Sequence, residues 1–310
     1  MTLSIVIVNW NAGDQLRACI ASIAQTASGM LRPCEVLVVD NASIDDSVRG
    51  IDQYGIPVRL MANTVNRGFA AACNQGAREA HGDYLLFLNP DTRLFADSLA
   101  RPLEFMERPE NSTIGICGIR LLDESGNTST CAARFPSLRV LAGAILGLGK
   151  LLPRMFPLHL MAPRELTESQ AVDQVIGAFF LIRRDVFDRC GGFDERFFVY
   201  FEEVDLSLRA KQLGYASYFL SDVAAFHKGG GCSDQVKAAR LFYSLRSRVL
   251  YAQKHYSVGE LFGLALLMAI EFPLRVGRSV LRMSKSDLLN TLLAYRQLAG
   301  YFLQGRDGSP

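Results

Sequence analysis

Three carboxylates, Glu202, Glu203 and Asp205, stand together in the string FFVYFEEVDL, flanked by Phe197, Phe198, Tyr200 and Phe201. Apolar neighbours raise a carboxyl pKa and poise the group to take a proton, which is the composition of a general base. Glu202 and Asp205, three residues apart, share one helical face, whereas Glu203 points elsewhere. Acids also gather at helix N-termini because the dipole favours them, so composition alone leaves both readings open. Asn89-Pro90-Asp91, after the apolar run YLLFL, offers one amide oxygen and one carboxylate. Hard divalent cations such as Mg²⁺ accept such ligands together with substrate phosphates; the same tripeptide also simply builds a turn. His227 closes VAAFH ahead of Lys228 and three glycines, and an imidazole there is either structural or a metal ligand. Asp40 ends EVLVVD, where a carboxylate accepts hydrogen bonds from a base imide or a ribose hydroxyl, or caps a helix. In Asn66 to Gly76, Gly68 and a run of small residues stand at the expected start of a helix. Free N–H groups at such a start favour a diphosphate, and small residues equally permit close helix packing. The segment has neither Gly-x-Gly-x-x-Gly nor a Walker Gly-Lys-Ser/Thr, which argues against a dinucleotide oxidoreductase or a P-loop enzyme.

These residues need a scaffold, and the first hundred positions describe one. Short apolar runs, SIVIVNW, EVLVVD, VRLM and YLLFLN, alternate with amphipathic stretches at Gln15 to Ala27, Asp45 to Tyr54, Gly68 to Ala80 and Phe95 to Glu107. Buried parallel strands read as continuous apolar runs, and the intervening lengths suit crossover helices, so the pattern is βαβ and the class α/β. Ligands of open α/β sheets bind beyond the carboxyl ends of the strands. Those ends carry Asn9-Trp10-Asn11, Asp40-Asn41-Ala42-Ser43, Asn66-Arg67-Gly68 and Asn89-Pro90-Asp91. Beyond residue 114, ICGIRLLDESGNTSTCAARF reads as a hairpin turned at Ser125-Gly126-Asn127, and QVIGAFFLIRR as a strand, with a helix expected over Val204 to Leu213. Val140 to Pro163, with Lys150 and Arg154 as its charges, reads as an apolar flap or a core helix. From Asp234 to Gln304 the pattern is helical, placing the catalytic domain at residues 1–233 and a basic, apolar tail at 234–310.

The formal charge of +2 offers no whole-chain reason for a nucleic-acid partner. From residue 237 onward, however, 11 basic residues face 4 acidic ones, against 22 and 27 in residues 1–236. Arg275, Arg278 and Arg282 are spaced to share one face beside a dense apolar one, the pattern of a helix lying in a membrane surface or meeting a second copy of the chain. Leu261 to Ile270 has ten residues free of charge, short of the ~20 that span a bilayer. Seven scattered cysteines, Cys34 and Cys232 among them, show no Cys-x-x-Cys, so neither a disulfide framework nor a zinc site is expected. With no signal-peptide pattern at the start, a cytoplasmic location follows as the expectation.

Taken together, SIVIVNWN, VVDNASIDDS, NRGFAAACNQG, LLFLNPDT, GAFFLIRRDVF and GGFDERFFVYFEEVDLSLRAKQLGY resemble the family 2 inverting glycosyltransferases of the GT-A fold, in particular their bacterial rhamnosyltransferase branch. The resemblance implies a Rossmann-like, mainly parallel mixed sheet flanked by helices, with a helical C-terminal extension. It implies a nucleotide-sugar pocket at Val8, Asn11, Asp40, Arg67, Gly68, Asn74 and Asn89. Asp91 matches the last Asp of the family's Asp-x-Asp metal motif, and His227 a histidine that joins the Mg²⁺ or Mn²⁺ site. Asn89 departs from that motif's first Asp. Glu203 stands where the acceptor-activating Asp of a Glu-Asp pair is usual, with Glu202 and Asp205 as the other candidates for base. The implied reaction is transfer of a sugar, L-rhamnose from dTDP-rhamnose ahead of a UDP-hexose, to a polyprenyl-diphosphate-linked glycan in cell-surface polysaccharide biosynthesis at the inner face of the membrane. A non-catalytic nucleotide-sugar binding protein is the reading from another class.

Overall fold

Apolar runs without interruption become interior strands here, because a strand covered on both faces has no polar side to show. A computed structural model describes residues 2–26, 35–229 and 237–303. Its contacts divide the chain into two compact units: Met1–Phe135, Leu160–Phe198 and Glu202–Cys232 form the first, and Pro136–His159, Val199–Phe201 and Ser233–Pro310 the second. The border expected at residue 233 falls within residues 230–236, outside the described residues, as do Cys34 and Cys232.

In the first unit the strands are β1 (Leu3–Asn9), β2 (Glu35–Asp40), β3 (Val58–Ala62), β4 (Tyr84–Leu88), β5 (Thr92–Leu94), β6 (Ile114–Leu122), β7 (Ala132–Ala133), β8 (Gln170–Val172), β9 (Gln174–Val175), β10 (Phe179–Arg183) and β11 (Ala216–His227). Its helices are α1 (Asp14–Thr26), α2 (Phe69–Glu79), α3 (Ala100–Glu107), α6 (Arg184–Arg189) and α7 (Glu202–Gln212); the helices missing from this series belong to the second unit. The main sheet runs β3-β2-β1-β4-β10-β6-β11-β5, with β8 on β11. β1 to β4 are parallel, β10 runs antiparallel between β4 and β6, and β5 is antiparallel to β11. Mixed, mainly parallel at one side, and flanked by helices: the expected fold class holds.

Both faces are buried. Leu3, Ile5 and Ile7 pack with Leu16, Ile20 and Ile23 of α1, while Val6 and Val8 pack with Ala70, Ala72 and Cys73 of α2 on the other side. The small residues of α2 serve this approach: a methyl group on Gly76 would collide with Val6 Cγ1 and stand 3.3 Å from Val39.

Local details depart from the sequence reading where side chains compete with the backbone. Asp45 to Tyr54 forms successive turns instead of a helix. Asp45 accepts from the Gly13 and Ser47 amides, and Gly50 takes φ +72°; an Asx turn of this kind displaces the helical hydrogen bonds. QVIGAFFLIRR is broken at Ile176 to Ala178 into β9 and β10. The turn at Ser125-Gly126-Asn127 is present, closed by Asp123 and Asn127, but β7 pairs with β9 and not with β6. α7 starts at Glu202, two residues earlier than expected.

The second unit is helical: α4 (Leu138–Ile145), α5 (Leu148–Leu151), α8 (Lys237–His255), α9 (Val258–Leu281) and α10 (Lys285–Leu303). Leu141 and Ile145 of α4 pack with Ala252 and Leu264, so the front of the Val140 to Pro163 stretch is core helix, whereas Leu151 and Met155 behind it are exposed. Ser257 and Glu260 form a reciprocal cap that starts α9. Arg275 does not share an open face with Arg278 and Arg282: it binds buried Glu271 at 2.6 Å, as Arg248 does at 2.5 Å.

In an ordinary helix interior Ala is preferred to Gly by about 1 kcal/mol. At position 76 overpacking, which costs roughly 1–3 kcal/mol, reverses that preference. Gly76→Ala is therefore expected to lower the urea midpoint of unfolding; an unchanged or raised midpoint would show that α2 can draw back from β1 freely.

Candidate active site

The strand order reverses at β1: the chain moves outward through β2 to β3, then returns to the opposite side of β1 as β4. Such a switch point opens a crevice at the carboxyl ends of the strands, and here its walls are cross-tied by amides. The Asn9 side-chain amide donates to Asp40 Oδ1 at 2.7 Å, Ser47 Oγ at 2.7 Å and Ser43 Oγ at 3.0 Å. Asn11, at φ +50°, donates its backbone N–H to Ser43 Oγ and accepts from the Ile44 amide with its side chain. Asp40 is buried at the tip of β2, and Val8 sits in the core with its side chain toward α2.

Asn41 holds the neighbouring loop. Its Nδ2 donates to Asn66 Oδ1 at 2.7 Å and to the Gly68 carbonyl, and its Oδ1 accepts from the Arg67 amide at 2.9 Å. Gly68 then takes φ +86° so that the Phe69 amide can donate to the Phe198 carbonyl; a Cβ at Gly68 would lie 2.6 Å from that oxygen. No side chain caps α2. Arg67 is exposed. The Asn74 amide is committed to the turn before α7, donating to the Phe193 carbonyl and Glu195 and accepting from the Phe193 amide.

At the other end of the crevice β5 and β11 pair Thr92 with His227. Asp91 Oδ1 and His227 Nε2 are thereby 3.3 Å apart, with side chains 8% and 13% exposed. A carboxylate oxygen beside an imidazole nitrogen fits part of the shell of a Mn²⁺ or Mg²⁺ ion whose remaining positions go to phosphate and water. Among the described residues no group of three or more His, Cys, Asp or Glu stands ready to hold a metal. The Asn89 amide donates to the Ala178 carbonyl at 3.1 Å, and Thr92 Oγ1 reaches the same oxygen at 3.3 Å.

Gly177, next to Ala178, faces the acidic cluster: a Cβ there would be 3.9 Å from the Glu203 carboxyl carbon. The 177–178 turn thus links the Asp91 corner to Glu203. Tyr200 and Phe201 both have positive φ, +69° and +71°, immediately before α7, a costly conformation for residues with side chains. Glu202 is buried and Glu203 half-buried, and each keeps one Oε2 atom that is buried without a hydrogen-bond partner among the described residues. Burial pushes both carboxyls above the usual range, and at Glu202 the charge of Glu203 adds to the effect. The same two acids, after burial itself, push up the Cys73 thiol, which places α2 beside the pair. Asp205 differs: fully buried, it is ion-paired with Arg209 at 2.7 Å, and Arg209 also donates to the Gly192 carbonyl at 2.8 Å. It anchors the helix to the preceding turn.

Residues 4–191 match the family Glycosyl transferase family 2. The chain belongs to that family. It is a glycosyltransferase, and it is similar to the N-acetylglucosaminyl-diphospho-decaprenol L-rhamnosyltransferase of Mycobacterium tuberculosis, 27% identical over 82% of this chain and 85% of the relative. Rhamnosyltransferase WbbL of Escherichia coli K12 is 33% identical over 48% of this chain and 53% of its own length. The mannosyltransferase PcManGT of Pyrobaculum calidifontis, solved with GDP-Man and Mn²⁺, shares the fold with a TM-score of 0.55 at 18% identity, covering 99% of this chain and 76% of that one. Asn9, Asn41 and Ser43 stood in the strand-end sets of the sequence reading without an assigned role, and Gly177 was not singled out. The recurrence of Asn and Asp at strand ends was their signal, though turn chemistry accounts for it equally well.

Burial raises the Glu202 pKa in the folded state above that in the unfolded chain. Its favourable contribution is therefore complete below the unfolded value near 4.3 and is lost as pH rises through the folded one. Glu202→Gln is expected to raise the melting temperature at pH 8, on the order of 2 °C per kcal/mol relieved, with the gain shrinking toward pH 5. The same shift at both pH values would refute a strained carboxylate.

Proposed function

We propose that the chain is an inverting, divalent-cation-dependent rhamnosyltransferase, moving L-rhamnose from dTDP-L-rhamnose to a glycan carried on a polyprenyl diphosphate at the inner face of the cell membrane. The observation that carries the reading is the turn at Gly177-Ala178, with the Asp91–His227 pair on one side and the unpartnered Glu203 oxygen on the other. The choice of sugar and lipid is supported by relatives named for L-rhamnose transfer, one of them to a diphospho-decaprenol acceptor.

Asp40 and Asn11, at the tips of β2 and β1, meet the nucleoside of the donor, with Val8 beneath it. Asn41 acts at one remove by holding Arg67 and Gly68, and Asn74 by holding the turn that leads to α7. Asp91 and His227, with Asn89 beside them, would hold the cation, which when bound neutralises charge on the departing diphosphate. Glu203 takes the proton of the acceptor hydroxyl as that oxygen bonds to the anomeric carbon, and the carbon–phosphate oxygen bond breaks with its electron pair leaving on the diphosphate. Attack from the opposite face inverts the centre, and Glu203 is left protonated. A carboxyl held above its usual pKa is a stronger acceptor for that proton than an exposed one, provided the pH leaves it ionised.

Glu203→Gln is expected to lose turnover by roughly 10²–10⁴-fold while binding donor as the wild type does; turnover near the wild-type value would reject Glu203 as the base. In calorimetry with and without Mn²⁺, dTDP-L-rhamnose should bind more tightly than UDP-hexoses and only with the ion, and Asp91→Ala should remove that difference. Equal affinity in chelator, or preference for a UDP sugar, would overturn the cation or the donor assignment respectively.

A further inference from the structure

The side of α9 turned to solvent carries almost nothing that water can solvate. Val258, Phe262, Leu266, Ile270 and Leu274 recur every fourth residue and are exposed by 84, 67, 52, 44 and 37%. Between Glu260 and Arg278 the other exposed positions are Ala265, Ala269, Pro273 and Gly277. The stripe is therefore apolar over about 24 Å, at 1.5 Å of rise per residue. Surface helices of water-soluble domains normally set charged or polar groups opposite their core face. Here the one acid in the middle of α9, Glu271, is buried against Arg248 and Arg275.

Charge decides what covers the stripe. The helical unit has 14 Lys and Arg against 5 Asp and Glu. Arg278, Arg282 and Lys285 are exposed at the end of the stripe, and Lys150 and Arg154 stand among exposed Leu151, Leu152 and Met155 in the same unit. Among its described residues only Glu260 and Asp287 are exposed acids. A second copy seated on this face would bring two strongly positive units together, whereas an anionic bilayer supplies both the apolar layer and the opposite charge. No helix of the described residues is long and apolar enough to cross a membrane.

The geometry points to α9 as a monolayer-docking helix that lies in the surface of an anionic bilayer, its apolar stripe among the acyl chains and its cations among the headgroups. This deepens the membrane clause of the proposed function by naming the surface that meets lipid. Its test is read without donor or acceptor, so either can fail alone.

The full chain should co-sediment with vesicles of equimolar phosphatidylcholine and phosphatidylglycerol and much less with phosphatidylcholine alone. Binding should weaken between about 0.1 M and about 1 M salt, as the screening length falls from about 10 to about 3 Å. Phe262→Glu with Ile270→Glu should lower partitioning more than about tenfold at an unchanged melting temperature, since both side chains are already in solvent. Arg282→Ala with Lys285→Ala should lower it about fivefold for each charge removed. Equal binding to both vesicle types, or wild-type binding by Phe262→Glu with Ile270→Glu, would overturn the proposal. So would light scattering that finds a dimer which the same two substitutions make monomeric.

Discussion

The pairing of β5 with β11 is the contact on which the proposed catalytic arrangement depends. It joins residues 91 and 227, separated by most of the first unit, and sets a carboxylate against an imidazole at 3.3 Å. Neither group alone is a cation site. That pairing in turn requires β10, which enters antiparallel between β4 and β6 and, through β6, puts β11 within reach of β5. The break before β10 leaves Gly177 and Ala178 as a turn, and their backbone joins the Asp91 corner to the acid opposite.

A second theme is how the polar residues at the strand tips are used. Asn9 spends its amide nitrogen on Asp40, Ser43 and Ser47 after β2, and Asn41 spends its amide on Asn66, Arg67 and Gly68 in the next loop. Most buried polar groups are paired, and these bonds tie the loops after β1, β2 and β3 together. Asn9 Oδ1, Glu202 Oε2 and Glu203 Oε2 are buried without a hydrogen-bond partner among the described residues, the two glutamates directly after two residues in left-handed backbone. Unmet polar groups and strained backbone in one place are a cost to the fold, and the proposed role of Glu203 in proton transfer gives that cost a use.

Much of the scaffold was legible in the order of residues, because a strand buried on two faces has to be an apolar run and β1, β2 and β4 all are, whereas β3, with Arg59 in it, lies at the sheet edge and is partly exposed. The crossover at Asp45 to Tyr54 was misread: its length suits a helix, but the Asp45 side chain captures nearby amides and converts the segment to turns. The small residues of α2 admitted two uses, and one of them, close packing against β1, is present. Gly76 is there for contact with Val6, while Gly68 is there for its positive φ under the Phe198 carbonyl.

Composition and spacing by themselves determined the α/β class, the strand tips as the place for chemistry, and the resemblance that points to family 2, since periodicity and short motifs are local properties of the chain. Tertiary structure alone decided which acid is ion-paired. Glu202, Glu203 and Asp205 are nearly interchangeable in sequence, yet Arg209 pairs with Asp205 while each glutamate keeps one buried oxygen without a hydrogen-bond partner among the described residues. Likewise Arg275 and Arg278 have the same helical spacing as any exposed pair until Glu271 draws one of them inward. Desolvation and ion pairing are set by neighbours distant in sequence, and no local pattern records them.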